Sequence, residues 1–130
     1  MSKLTPVVVL VCDDLFFQVK LEALIRQSGR TAVTVRSRAG FDDLPVHAQA
    51  AVVDLKFAAL PAIEAVQLLR ERRPSVPVIA FGPHLEREEL AAARNSGAQY
   101  SMPRSRLVRE LPTLLGALFS HPGGDSGAKP

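Results

Sequence analysis

The sequence predicts a doubly wound α/β domain, five parallel strands with helices on both faces, and three observations predict it. Short β-branched runs alternate with longer segments of helical period, the pattern of right-handed βαβ crossovers. The runs "VVVLVC", "AAVVD" and "VIAF" are almost wholly apolar, as central strands covered on both faces must be. Carboxylates stand where two of these runs stop, Asp13 and Asp14 after the first and Asp54 at the end of the third. In open α/β sheets that carboxyl edge is where ligands bind.

The strands are expected at 7–12, 32–35, 50–54, 78–81 and, more weakly, 99–102. The second is short and mixed, which marks an edge. A first helix over 15–28 carries Phe16, Val19, Leu21, Leu24 and Ile25 at helical spacing, and Gly29 offers a left-handed stop. Residues 40–44 allow only a short or irregular helix before Pro45. The next helix, 61–73, tolerates Pro61 in its first turn and cannot continue through Pro74. A third long helix spans 85–96 and stops at Gly97. The last, 106–119, contains Pro112, which predicts a kink or a fresh start near Leu111. Residues 1–119 are read as the domain, and 120–130 as a disordered tail with nothing to bury.

Composition narrows the function. A chain of 130 residues that is 47% hydrophobic suffices for one domain with a real core. One cysteine, Cys12, excludes an internal disulfide, and its place in a buried run makes it a small apolar residue. No apolar run approaches bilayer length and the start "MSKLTP" is no signal peptide, so a cytoplasmic protein without membrane attachment is expected. A net charge of +3, scattered arginines, one Tyr and no Trp argue against direct nucleic-acid binding. His47, His84 and His121 show no ligand spacing. Phosphate loops, nucleophile elbows and CxxC pairs are absent from the sequence.

If the first and third strands are neighbours, Asp13, Asp14 and Asp54 converge on one mouth. Repulsion there either raises carboxyl pKa values or recruits a hard divalent cation. Repulsion alone predicts that Asp14→Asn stabilises the fold by roughly 1 kcal/mol. The alternative is that one acid of the pair simply caps the first helix.

From residue 7 to about 119 the chain resembles the receiver domain of two-component response regulators, a flavodoxin-like fold with strand order 2-1-3-4-5. The resemblance implies that Asp13, Asp14 and Asp54 bind Mg²⁺, weakly here, and that Asp54 in "AAVVDL" is the phosphoacceptor. Departures from the family pattern make this an atypical or pseudo-receiver. The strand-four hydroxyl position falls on Gly82, which has no side chain. Counting from Gly97 and Ala98 puts Arg104 at the family's lysine position; aligning on the proline puts Met102 there, and Arg104 is preferred. Lys56 follows Asp54 closely enough for its ammonium to neutralise the pocket. Arg87, Tyr100, Arg106 and Arg109 fall on the surface that receivers offer to partners. The implied partners are a histidine kinase or a downstream signalling protein, and a second copy of the chain. The expected function is a non-enzymatic, stand-alone signalling module that acts by docking within a two-component or phosphorelay system. The alternatives are a Mg²⁺-dependent aspartyl-phosphate transfer protein and a flavodoxin-like ligand-binding domain.

Overall fold

The computed structural model describes residues 6–82 and 87–118. His84, the expected first two residues of the third long helix, Phe119 and the expected tail at 120–130 lie outside the described residues.

Parallel strands β1 (Val7–Val11), β2 (Thr31–Val35), β3 (Ala48–Asp54), β4 (Val78–Gly82) and β5 (Tyr100–Pro103) form one sheet in the order β2-β1-β3-β4-β5. This is the expected topology. They are connected through α1 (Leu15–Gln27), a 3₁₀ segment (Arg38–Asp43), α2 (Ala62–Arg72), α3 (Arg87–Asn95) and α4 (Arg104–Leu118). No described helix is long and apolar enough to cross a membrane.

The two-residue period of a strand sorts each apolar run into two cores. Val9, Val11, Ala51, Val53, Val78 and Ala80 join Phe41, Val66 and Leu69 on one face. Val8, Leu10, Cys12, Ala50, Val52, Ile79, Phe81 and Met102 join Leu21, Ile25, Leu107, Leu111 and Leu115 on the other. Continuous hydrophobicity in β1, β3 and β4 is therefore used on both faces, and one extra residue in β3 would exchange them.

Pro112 neither breaks the last helix nor delays its start: α4 runs through it and begins at Arg104, two residues before the expected position. Pro112 is exposed, so the carbonyl one turn earlier that loses its partner can meet water. Leu107, Leu111 and Leu115, four apart and fully buried, hold both halves of the helix to the sheet.

Gly29 and Gly97 end α1 and α3 at φ of 84° and 124°. A Cβ at Gly97 would also lie 2.7 Å from Cγ of Arg70. Gly116, inside α4, has nothing within 4 Å of the corresponding point. Thermal melts should therefore separate the two: Gly116→Ala stabilises by about 0.5–1 kcal/mol through helix propensity, whereas Gly97→Ala destabilises by about 1 kcal/mol or more through the disfavoured φ.

Candidate functional site

Strand register builds the site. β1 pairs Val11 with Val53, and β3 pairs Asp54 with Phe81, which pairs in turn with Met102. One residue past Val11, Cys12 completes a row across the sheet: Cys12, Asp54, Phe81, Met102. Strand parity thus sets a carboxylate between a thiol and a phenyl ring on the face covered by α1 and α4. Asp54 is 1% exposed and is the one charged residue among the buried described residues.

Its partners are few. Oδ1 accepts the Lys56 N–H at 2.8 Å, in the turn that also brings the Phe57 N–H to the Asp54 carbonyl at 3.0 Å. The Cys12 thiol lies 3.6 Å from Oδ2, and Nη2 of Arg104 is 3.8 Å from the same oxygen. Burial pushes the Asp54 carboxyl above the usual range, against the Lys56 N–H, the charge of Arg104 and the thiol, which all lower it. Burial, reinforced by the neighbouring carboxylates, lifts Cys12 to about 12, so it remains a thiol.

Asp13 and Asp14 stand at the same edge with other engagements. Asp13 Oδ2 accepts the Ala58 N–H at 2.9 Å, tying the end of β1 to the loop after β3. Asp14 is the N-cap of α1, its Oδ1 accepting the Phe17 N–H at 3.2 Å. Its Oδ2 lies 3.9 Å from Nη2 of Arg104, the nitrogen that faces Asp54. Among the described residues no three acidic, His or Cys side chains are grouped to hold a metal ion. As arranged, Asp13, Asp14 and Asp54 do not gather as a set of metal donors, and the cation set between Asp14 and Asp54 is the guanidinium of Arg104.

The side chains expected on the rim separate. Arg104, the first residue of α4, reaches the pocket and lays its guanidinium over the Phe17 ring, 4.3 Å from the centroid. Phe17 rests in turn on Phe81, with ring centroids 5.3 Å apart. Met102, the other candidate for that position, is buried in the core. Lys56 serves the pocket through its backbone N–H, while its ammonium lies 4.0 Å from Glu89 on α3. Gly82 ends β4, buried, and a Cβ there would make ordinary contacts with Leu55, the nearest at 3.7 Å. Arg87, Tyr100, Arg106 and Arg109 are exposed on α3, β5 and α4, and Glu110 pairs with Arg106 at 3.1 Å. Two further residues complete the site, Phe17 beneath Arg104 and the Cys12 thiol beside Asp54, and neither stands out in the sequence as functional. Counting strand register across "VVVLVC" and "AAVVD" places Cys12 next to Asp54; Phe17 carries no comparable signal.

The sheet order, with helices on both faces, is that of a receiver-type α/β fold. The chain has the fold of a response-regulator receiver domain. It is similar to a response regulator from Thermotoga maritima at 15% identity and TM-score 0.75, covering 91% of this chain and 100% of that one. A CheY-like receiver domain protein from Methanospirillum hungatei gives 16%, 0.76, and coverage of 89% and 95%. An orphan response regulator of H. pylori gives 19%, 0.70, and coverage of 86% and 94%. No protein-family model and no curated protein matches the sequence.

Two substitutions test the electrostatics. Because the folded-state pKa of Asp54 is raised, the fold favours the acid form; that preference is complete below the ordinary value of 3.8 and is lost as pH climbs through the raised one. Asp54→Asn, neutral at every pH, should therefore melt above the wild type at pH 7 by a few degrees, as for a change of about 1 kcal/mol, and the gap should close on acidification. At Asp14 capping sets the outcome: Asp14→Ala should cost about 1 kcal/mol and Asp14→Asn, an equally good cap, almost nothing. Melts of the two variants side by side check this against the stabilisation that simple repulsion predicts.

Proposed function

We propose that this chain is an atypical receiver-type signalling module that works by protein docking, with Asp54 as its candidate phosphoacceptor. The observation that carries the reading is the placement of Asp54 at the carboxyl end of β3, on a receiver fold, with the guanidinium of Arg104 within ion-pair range. A histidine kinase or a downstream signalling protein is the proposed partner, and a second copy of the chain another. The docking surface is the β5 edge, with Arg87, Tyr100, Arg106 and Arg109. Partner recognition, not turnover, is the proposed activity. The engagement of Asp13 and Asp14 by backbone N–H groups lends less support to a Mg²⁺-dependent phosphotransfer enzyme.

Gly82 shapes the regulation. Phosphorylation can shift a two-state surface only through an interaction that differs between the states. A side chain that could follow a phosphoryl group is missing at Gly82. Arg104 is the group with the charge and reach to distinguish phospho-Asp54 from Asp54, and it projects from α4 rather than β4. The unmodified protein is then already competent for its partner.

Incubation with a small acyl phosphate, followed by intact mass, should add one phosphoryl group to the wild type and none to Asp54→Asn. Beryllofluoride should leave the amide resonances of Tyr100 and Arg106 in place. Labelling that survives Asp54→Asn would remove the phosphoacceptor, and movement of Tyr100 would restore an ordinary phosphorylation switch.

A further inference from the structure

The receiver resemblance implies a divalent cation among Asp13, Asp14 and Asp54, and among the described residues these side chains are not grouped as its donors. We infer that the guanidinium of Arg104 is the pocket's own resident cation, a tethered counter-ion shared by Asp14 and Asp54 that occupies the place of a metal and excludes Mg²⁺. One nitrogen, Nη2, stands 3.9 Å from Asp14 Oδ2 and 3.8 Å from Asp54 Oδ2, in the space that an ion bridging these two carboxylates would need.

The ring face of Phe17 and charge, not a directional hydrogen bond at Nε, keep the guanidinium there. Its plane is supported by the Phe17 ring, which is backed by Phe81. Its Nε is buried with no hydrogen-bond partner among the described residues, so charge and the ring face hold the group rather than a bidentate bond. One oxygen of each acid is taken by a backbone donor: Phe17 N–H on Asp14 Oδ1, Lys56 N–H on Asp54 Oδ1 and Ala58 N–H on Asp13 Oδ2.

Competition follows from this arrangement. A cation on its own α4 stem acts at an effective concentration set by the tether, independent of solution conditions. Mg²⁺ sheds its water reluctantly and demands near-ideal octahedral geometry. To enter, it must displace the guanidinium, break the Phe17 stack and pull carboxylates away from backbone N–H groups.

The test is titration with Mg²⁺ alone, on the full chain, followed by the amide resonances of Asp13, Asp14 and Lys56. The wild type should show no saturable shift through the millimolar range. Arg104→Ala and Arg104→Gln, checked for folding by thermal melts, should gain saturable shifts at these amides, with affinity up by about tenfold or more. Wild-type saturation anywhere up to and within the millimolar range would overturn the inference, as would folded Arg104 variants that stay as unresponsive as the wild type. If the Ala variant does not fold, the Gln variant, which keeps most of the stem against Phe17, gives the same reading. No arm uses phosphate, so this result and the phosphoacceptor role of Asp54 fail independently.

Discussion

One buried carboxylate organises this molecule. Taking an ion such as Asp54 out of water costs on the order of several kcal/mol, and its neighbours in the row return little of it, Phe81 and Met102 nothing and the Cys12 thiol only a weak contact at 3.6 Å. The Lys56 N–H and the guanidinium of Arg104 offset that cost, and each constrains a different element. The first fixes the turn after β3. The second requires α4 to begin directly after β5, so that its first residue overhangs the sheet edge. Phe17 is then the floor that lets a long, partly exposed side chain keep one position.

The opposite end of the sheet is stapled by arginine as well, with a different chemistry. Arg73 donates to the Leu44 and Pro45 carbonyls, Arg72 to the Phe41 carbonyl, and Arg70 to the Val76 carbonyl. Orphan acceptors of the loops are satisfied by the last turn of α2, which also stands well with the helix dipole. Much of the basic excess is therefore structural. Three of the arginines that make the chain basic are committed to main-chain oxygens, so its positive net charge is a poor measure of the charge offered to a partner.

Much of this architecture is legible in the residues alone. Alternating apolar and helical segments contain the sheet order, because βαβ handedness leaves few ways to wind them. Asp54 is legible because a charge closing an apolar strand has few places to go. Two things are not. The direction of the Lys56 ammonium depends on Glu89, which is remote in sequence and brought near by α3. Pro112 breaks isolated helices, and its tolerance here rests on three leucines anchored to a sheet that local sequence does not describe. The convergence of three acids is legible as proximity to one edge, but the N–H groups that claim Asp13 and Asp14 belong to loop and helix geometry.

The position of Tyr100 has an optical consequence. The chain has one tyrosine and no tryptophan, and that tyrosine sits on β5, about a third exposed. Near-ultraviolet emission excited in the tyrosine band therefore originates from a single point on the sheet edge, without any label. A molecule that covers this edge changes that emission directly, whereas events confined to the pocket stay dark unless they reach the edge.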